Sequence, residues 1–238
     1  MIRDVGPFNF SRACNAGARA ARGERLLFLN NDTEIVHEDW LDRMAQWLED
    51  TRVGAVGARL LYPDGTLQHA GVIIGMGGLA SHFWQGQQSG ASGIFGSEAW
   101  YRNFAAVTAA CLLTSRRAFE AAGGFDEALE LVYGDTDYCL RLKDLGFRIV
   151  YTPDAEVIHH ESQSRGKTAP RADYVRFSDR MSKSRVLDGD PYFHPALSYT
   201  STRPHLRVGP QDQPRYLNRR FMASLPDKPT ITFPDDLL

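Results

Sequence analysis

The stretch RLLFLNNDTEI, residues 25–35, is an apolar run of strand length that ends abruptly in two asparagines and Asp32. A second stretch, EVIHHESQSRG at residues 156–166, has the same form, because a β-branched run ends in His159 and His160. Open α/β sheets hold their ligand sites at the carboxyl ends of strands. A carboxylate at one strand end and an imidazole at another therefore predict a divalent cation that holds an anionic ligand.

The bulk composition is that of one ordinary globular domain. The chain has 238 residues, of which 43% are hydrophobic, enough for one sizeable core. Its net charge of −2 leaves no basic excess to neutralise phosphates, so we expect no nucleic-acid partner. The three cysteines are widely spaced in apolar contexts, which is typical of free thiols in a reducing compartment. No apolar run approaches the roughly 18 residues of a spanning helix, and no signal peptide is visible, so we expect a cytoplasmic protein.

Alternating strand and helix patterns predict an α/β fold with a mainly parallel sheet flanked by helices. Ser11 is the expected cap of the first helix, and Pro153 is expected to end the last strand. The loop at 75–97 is rich in glycine and serine and carries aromatic residues, which suggests a mobile lid. The strands are predicted near 26–29, 53–61, 68–74, 109–114 and 148–152, and the helices over 12–22, 39–50, 116–122 and 136–145.

The C-terminal third has a different character. From residue 167 onward the periodicity weakens, while proline, aspartate and arginine become more frequent. We therefore predict a first domain over residues 1–166. Residues 167–238 are predicted to form an extension with one helix near 171–185 and little core of its own.

Five stretches resemble glycosyltransferase family 2, especially bacterial enzymes of surface-polysaccharide and rhamnan assembly, and they occur in the family's order. The resemblance implies a GT-A-like fold and inverting transfer from a nucleoside-diphosphate sugar to a hydroxyl of a glycan or lipid-linked acceptor, with Mn²⁺ or Mg²⁺. It also allows peripheral association with the inner face of the membrane. The stretches are FNFSRACNAGARAARGERLLFLNNDTEI, GAVGARLLYPDGTLQHAGVIIG, AVTAACLLTSRRAFEAAGGFDEAL, GDTDYCLRLKDLGFRIVYTPDAEVIHHESQSRG and DPYFHPALS.

The chain departs from the family in two ways. The family's domain begins well before Met1, with strands that bind the donor base, so we expect this chain to lack the N-terminal part of the domain. The arginine that usually precedes the asparagine of the first helix is replaced by Cys14, before Asn15. Because the strand at 26–29 is apolar on both faces, as a central parallel strand is, the shortened chain is expected to self-associate.

The first strand's end occupies the place of the family's Asp-x-Asp motif. A hard cation there would offset the charge of the leaving diphosphate. A turn capped by asparagine and aspartate side chains is the alternative for this segment, and a structural hydrogen bond is the alternative for the histidine. The resemblance implies metal ligation by Asp32 and His159, and donor binding by Asn15, Asn30, Asn31 and Arg165.

Asp135 falls in the slot of the family's Glu-Asp pair, which makes it the implied general base for an acceptor hydroxyl. The alternative is that Asp135 or Asp137 caps the following helix. The Gly-Gly-Phe-Asp loop is a helix stop and, by resemblance, also lies against the sugar. The implied acceptor- and sugar-binding residues are Gly123, Gly124, Phe125, Asp126 and Asp137.

Three functions are consistent with these patterns. The leading interpretation is a metal-dependent glycosyltransferase of cell-surface polysaccharide biosynthesis. The second is a non-catalytic remnant or partner module that keeps the fold but lacks the donor-binding half. The third is another metal-dependent α/β enzyme such as a nucleotidyltransferase, which would need basic phosphate-binding loops that the sequence does not show.

Overall fold

The computed structural model describes residues 6–93, 96–160 and 168–232. The strands are β1 Arg25–Leu29, β2 Thr33–Ile35, β3 Val53–Leu61, β4 Leu67–His69, β5 Val72–Ile74, β6 Ala80–His82, β7 Ser92–Gly93, β8 Gly96–Ser97, β9 Arg102–Phe104, β10 Cys111–Ser115, β11 Arg148–His159, β12 Thr168–Pro170 and β13 Thr230–Thr232. The helices are α1 Phe10–Ala20, α2 Trp40–Ala45, α3 Arg116–Ala121, α4 Gly134–Asp144, α5 Arg171–Lys183 and α6 Pro214–Ser224. Short 3₁₀ turns lie at Gln46–Glu49, Met76–Gly78, Val186–Asp188 and Pro210–Asp212.

The main sheet has seven strands and is mixed. Its path runs β1-β10-β3-β11-β2, with β4 paired to β3 and β9 paired to β11. The β3–β11 pair is parallel, whereas the other pairs of this sheet are antiparallel. The predicted α/β class with flanking helices is confirmed, but the expectation of a mainly parallel sheet is wrong. The physical reason is that β10 lies between β1 and β3 and runs against both, and an apolar strand has the same side-chain pattern in either direction.

The strand β11 continues past Pro153, where the sequence predicts its end. Its pairing with β3 shifts register between Thr152 and Glu156, so the proline lies where the hydrogen-bond ladder is interrupted and no N–H is needed. The run 148–152 and the run that leads to His159 are therefore one strand. Its length carries His159 to the end of the sheet where β2 pairs with it.

The helix α1 begins earlier than predicted and has a different cap. The side chain of Asn9 accepts the N–H of Arg12 at 2.8 Å, which makes Asn9 the N-cap. The hydroxyl of Ser11, the expected cap, is buried and donates to the carbonyl of Leu129 at 2.6 Å. The serine therefore ties α1 to the segment that precedes α4.

The first half of the loop at 75–97 packs on the core, whereas residues 86–93 are mostly exposed, so only this later part is available as the predicted lid. The side chains of Phe83 and Trp84 are 2% and 4% exposed. Phe83 contacts Phe193 edge to face, with ring centroids 5.6 Å apart. Phe95, another aromatic residue of the predicted lid, lies outside the described residues. Aromatic rings in a glycine-rich stretch here mark a packed segment, since their apolar surface is removed from water.

Two hydrophobic clusters lie on opposite faces of the sheet. Alternate residues of β10 and β11 divide between them, as the two-residue period of a strand requires. The larger cluster packs the sheet against α1, α3, α4 and α5, whereas the smaller one packs it against α2, with Met44 at its centre. The three cysteines, which all lie in the described ranges, are free thiols, as predicted.

The C-terminal residues add to the larger cluster instead of forming a core of their own. Tyr174, Phe177 and Met181 of α5 are buried in it, together with Ile231 of β13. The helix predicted near 171–185 is confirmed as α5, while the predicted domain boundary falls among residues outside the described ranges. Within those ranges, none of the helices is long and apolar enough to cross a membrane.

Candidate active site

The two predicted metal ligands meet at one end of the sheet. The Nε2 atom of His159 lies 3.1 Å from Oδ1 of Asp32, although the residues are 127 positions apart. In the β2–β11 ladder, His159 pairs with Thr33, and the N–H of His160 donates to the carbonyl of Asp32 at 2.9 Å. The register of these two strands therefore determines that the carboxylate faces the imidazole.

The ring of His159 is held on both sides. Its Nδ1 lies 2.7 Å from Oε1 of Gln68, and its Nε2 lies 3.0 Å from Nδ2 of Asn30. The histidine is only 7% exposed. The ring is thus clamped between β4 and the end of β1.

A turn follows β1, but the side chains of Asn30 and Asp32 contact His159 and do not cap the turn as the alternative interpretation expected. The carbonyl of Asn30 accepts the hydroxyl of Thr33 at 2.7 Å, a bond typical of such turns. Asn31 is exposed at the tip. His160 does not orient His159 through its ring, because its Nε2 lies 2.8 Å from Oε1 of Glu34.

Asp135 lies half-buried in the first turn of α4. Its Oδ2 accepts the N–H of Ala109 at 2.9 Å, and its Oδ1 accepts the N–H and the hydroxyl of Thr136 at 2.7 and 3.2 Å. The N-cap position belongs to Tyr133, with φ of 63° and no capping side chain. Neither Asp135 nor Asp137 is therefore the cap residue, and three hydrogen bonds hold the carboxylate of Asp135 in one orientation.

A short backbone link joins Asp135 to the metal-ligand pair. Ala109 donates to Asp135, and the carbonyl of the next residue, Ala110, accepts the N–H of Asn30 at 3.0 Å. Because β10 is antiparallel to β1, the start of β10 lies beside the end of β1. The candidate base and the candidate metal ligands therefore lie at the same end of the sheet, where β1 ends and β10 begins.

The segment before α4 is anchored by α5. The carboxylate of Asp173, which is fully buried, accepts three successive N–H groups of residues 130–132 at 3.1, 2.8 and 3.0 Å. Beside it, the ring of Tyr133 stacks on that of Phe177, with centroids 4.5 Å apart. The C-terminal residues thus fix the chain immediately ahead of Asp135.

Asp137 also connects α4 to α5. Its Oδ2 lies 2.8 Å from Nε of Arg141, and its Oδ1 lies 3.5 Å from Nε of Arg180. The side chain is 6% exposed. This placement corrects the predicted acceptor contact, since both carboxylate oxygens face arginines inside the protein.

The Gly-Gly-Phe-Asp loop ends α3 as a helix stop. The N–H of Gly123 donates to the carbonyl of Glu120, and that of Gly124 donates to the carbonyl of Phe119, each at 3.0 Å. Both glycines have positive φ, 76° and 71°. A Cβ on Gly123 would meet nothing within 4 Å, so the backbone at this residue faces open space.

The next two residues of this loop face other parts of the protein. The ring of Phe125 is buried and contacts Phe28 edge to face at 4.9 Å, so it is a core residue and not a sugar contact. Oδ2 of Asp126 accepts a hydrogen bond from Nε of Arg176 at 2.5 Å. Burial raises the pKa of Asp126, but hydrogen bonds from Arg176 and from the N–H of Ala128 lower it overall.

Asn15 holds this loop against α1. Its Oδ1 accepts the N–H of Phe125 at 2.8 Å, and its Nδ2 donates to the carbonyl of Phe125 and to Oε1 of Glu127, each at 2.9 Å. A Cβ on Gly124 would lie 2.7 Å from Oδ1 of Asn15, which is why glycine is needed there. Both N–H bonds of this amide are used inside the protein, so the structure does not support the predicted donor contact.

A groove of about 320 Å³ runs between α1 and β1 and ends at Asn30 and Ala109. In the described ranges, no strand pairs with the second edge of β1, which lines this groove. Cys14 also lines it. Burial, aided by the charge of Asp135, raises the pKa of the Cys14 thiol to about 12, so the thiol stays protonated near neutral pH.

Sequence reasoning missed the roles of Gln68 and Asp173. It assigned Asn15 to donor binding, whereas the structure shows it holding the loop at Phe125. Gln68 lies in the stretch LLYPDGTLQHAGVIIG, which carries part of the family resemblance and could have drawn attention to it. Arg165, the remaining predicted donor contact, lies outside the described residues. Its role stays a prediction.

The donor set at the sheet edge suits a divalent cation that takes most of its ligands from elsewhere. Within residues that the structure describes, no group of three or more His, Cys, Asp or Glu side chains could hold a metal ion. Asp32 and His159 supply one oxygen and one nitrogen, 3.1 Å apart, which is the spacing of two adjacent octahedral ligands with metal bonds of about 2.1–2.2 Å. Mg²⁺ and Mn²⁺ are often held by one or two side chains plus phosphate oxygens, and the imidazole favours Mn²⁺.

The α/β fold brings a carboxylate and an imidazole together at one end of its sheet. The model of glycosyltransferase-like family 2 matches residues 2–173, and the chain belongs to this family. This membership agrees with the GT-A-like fold predicted from the sequence.

Two curated relatives bear names that fit this family. The chain is 42% identical to the O-antigen biosynthesis protein RfbC of Myxococcus xanthus, over 92% of this chain and 17% of that protein. It is 30% identical to the N-acetylglucosaminyl-diphospho-decaprenol L-rhamnosyltransferase of Mycobacterium tuberculosis, over 60% of this chain and 50% of that protein. The chain thus spans half or less of the length of these relatives. Among solved structures, the mannosyltransferase PcManGT from Pyrobaculum calidifontis, in complex with GDP-Man and Mn²⁺, is similar over 80% of this chain and 47% of that one, with 15% identity and a TM-score of 0.49.

Proposed function

We propose that this chain is an inverting glycosyltransferase of cell-surface polysaccharide biosynthesis. It moves a sugar from a nucleoside-diphosphate sugar to a hydroxyl of a glycan or lipid-linked acceptor. We place it in the cytoplasm, with peripheral attachment at the inner face of the membrane through the lipid-linked acceptor. Membership of the family and the names of the relatives support the reaction class.

The observation that carries the proposal is the convergence of three carboxylate and imidazole groups on one sheet edge. Asp32 and His159 form a pair at 3.1 Å, and Asp135 is joined to the same edge through Ala109 and Ala110. A transfer of this kind needs one group to neutralise the leaving diphosphate and another to accept the proton of the attacking hydroxyl. Asp32 and His159 would serve the leaving diphosphate, and Asp135 would serve the attacking hydroxyl. The backbone at Ala109 and Ala110 connects the two groups.

Asp135 is the proposed base. Its carboxylate accepts hydrogen bonds from Ala109 and Thr136, yet the residue is only half-buried, so a substrate hydroxyl can reach it. The acceptor oxygen attacks the anomeric carbon as the bond to the diphosphate breaks, and its proton passes to Asp135. One base and one displacement give inversion of configuration at that carbon.

Asp32 and His159 would hold the cation, which would stabilise the charge of the leaving diphosphate when bound. The Nδ2 atom of Asn30 lies 3.0 Å from the same imidazole nitrogen and helps to hold the ring in place. Asn31, which is exposed, and Arg165 stay proposed donor contacts. The open backbone of Gly123 is proposed to face the sugar or acceptor.

The test is a donor screen on the purified chain. Nucleoside-diphosphate sugars would be supplied with Mn²⁺ or Mg²⁺ and a polyprenyl-linked or short glycan acceptor, and released nucleoside diphosphate would be measured. Metal-dependent release that is lost in Asp135→Asn and retained in Asp179→Asn, a change at an exposed aspartate of α5, supports the proposal. Absence of turnover with every donor would contradict it.

A non-catalytic partner module is a second candidate. The observation that favours it is Asn15, whose amide is occupied within the protein instead of facing a donor. In that case the chain would bind acceptor glycan, measured by calorimetry, without binding any nucleoside diphosphate in the presence of Mn²⁺.

A further inference from the structure

We propose that Gln68 is a positioning residue that fixes the ring and tautomer of His159, so that Nε2 presents its lone pair beside Asp32. This inference rests on the proposed function, but the contacts between Gln68 and His159 do not depend on the reaction. Gln68 lies in the middle of β4 and is 2% exposed.

Gln68 lies at a β-bulge of strand β4. In the pairing of β4 with β3, Leu60 faces His69 and Leu61 faces Leu67, so Gln68 is the extra residue between these two pairs. Its carbonyl lies 2.9 Å from Nδ1 of His82. Bulges re-aim side chains, and here the side-chain amide contacts His159.

The amide of Gln68 contacts His159 at two points. Its Oε1 lies 2.7 Å from Nδ1 of the ring, and its Nε2 donates to the backbone carbonyl of His159 at 3.4 Å. A carbonyl oxygen can only accept, so the amide nitrogen must face it and the amide oxygen must face the ring. An oxygen without a hydrogen then requires that Nδ1 carry the proton.

The proton on Nδ1 decides the chemistry of the other nitrogen. In a neutral imidazole the second nitrogen is an acceptor, so Nε2 turns its lone pair towards Nδ2 of Asn30 and Oδ1 of Asp32. A lone pair and a carboxylate oxygen at 3.1 Å repel each other unless a metal cation or a second ring proton lies between them. Through Gln68, His159 can therefore act with Asp32 as a ligand to a cation. The amide of Asn30 and the cation would compete for the lone pair on Nε2.

The alternative is that Gln68 has a purely structural role and only fills a buried position in β4. Replacement by leucine keeps the volume and removes both contacts to His159. Replacement by glutamate keeps an oxygen that accepts the Nδ1 proton but removes the amide N–H. This variant therefore tests the tautomer without the amide's second contact. Gln85 is a matched control, because it is half-buried and its amide donates to the hydroxyl of Tyr62 at 2.9 Å instead of contacting His159.

The first measurement is the tautomer. Chains labelled with ¹⁵N-histidine would be studied without metal by long-range ¹H–¹⁵N correlation, with the His159 signals assigned by their loss in His159→Ala. We expect the Nδ1–H form in the native chain, in Gln68→Glu and in Gln85→Leu. We expect a mixture or the Nε2–H form in Gln68→Leu. A Gln68→Leu chain that keeps the Nδ1–H form, with an unchanged melting temperature, would overturn the inference.

The second measurement is Mn²⁺ binding by electron paramagnetic resonance, with no sugar donor present. We expect Gln68→Leu to weaken binding about 10–100-fold, the usual effect of losing the partner of a metal-bound histidine, and Gln68→Glu to restore most of it. Equal affinity of Gln68→Leu and the native chain would also count against the inference. The proposed function fails separately: a tautomer that depends on Gln68 in a chain that transfers no sugar would leave the positioning role standing and remove the reaction.

Discussion

The buried carboxylate of Asp173 offers the sharpest test of how the C-terminal residues support the site. It accepts three backbone N–H groups of residues 130–132, at 2.8–3.1 Å, just ahead of Asp135. Asp173→Ala would leave three buried donors without this partner. Each unsatisfied buried donor costs about 1–3 kcal/mol, and partial relaxation of the loop recovers some of that, so we expect a loss of about 3–5 kcal/mol in the free energy of unfolding.

The asparagine variant should fall between the native chain and alanine. An amide oxygen placed at Oδ2 can still accept the N–H groups of Leu131 and Val132, but the amide nitrogen then faces the N–H of Glu130. One clash of two donors replaces one hydrogen bond, which we expect to cost about 1–3 kcal/mol. The order native, Asp173→Asn, Asp173→Ala is thus expected in stability.

Urea unfolding followed by fluorescence would measure these differences by linear extrapolation. Asp179→Ala is the control, because this aspartate lies on the same helix but is exposed, and it should stay within about 0.5 kcal/mol of the native chain. Once a donor is known, turnover measured well below the unfolding midpoint should also fall in Asp173→Ala, since the segment before Asp135 loses its anchor. A stability of Asp173→Ala within about 1 kcal/mol of the native value, with normal turnover, would refute the reasoning.

Four further predictions concern the site, pH and the edge of the sheet. Asp32→Ala should abolish metal-dependent binding of nucleoside diphosphate in calorimetry while the circular dichroism spectrum is retained, and unchanged affinity would remove Asp32 from the metal site. Asp135→Asn should lower turnover by a factor of about 10²–10⁴ with donor binding kept, whereas near-normal turnover would leave this residue a purely structural role. Burial raises the pKa of Asp190 from 3.8 to about 6, so between these pH values the folded chain holds a proton that the unfolded chain has released. The contribution of Asp190 to stability therefore falls by about 3 kcal/mol as pH rises from about 4 to 7, and Asp190→Asn should flatten that part of the unfolding curve. The edge of β1 that lines the groove should make the chain dimerise at micromolar concentration, and Leu29→Lys should shift it to monomer in sedimentation. A native chain that sediments as a monomer would contradict this prediction.

The position of the site could be predicted from the sequence because strand ends are visible in it. An apolar run that stops in Asp32, and another that stops in His159, predicted side chains at one sheet edge, and the structure places them 3.1 Å apart. The segment Val53–Leu61 was predicted with its observed bounds, since a Pro-Asp-Gly turn soon follows a mostly apolar run. What the metal and the substrate do at that edge stays a prediction.

The direction of the strands could not be predicted. Side-chain patterns report burial and period, and β10 has the same apolar pattern whether it runs with or against β1. Pro153 was misleading for a related reason. A proline ends a strand only when its missing N–H is needed, and here the register shift against β3 removes that need.

The partners of single buried polar residues were the hardest part to predict, although the sequence does hold a trace of them. In β4, Gln68 and His69 interrupt an apolar run between Leu67 and Ala70, and both are buried. A buried amide must find a hydrogen-bond partner, so such an interruption indicates that some polar group lies opposite. It does not say which group, because the partner of Gln68 lies 91 residues further along the chain. The same holds for Asn15, where local sequence resembles a donor-binding helix but the loop at Phe125 takes up the amide. Sequence therefore located the candidate ligand groups, which lie at strand ends, better than the groups that hold them in place.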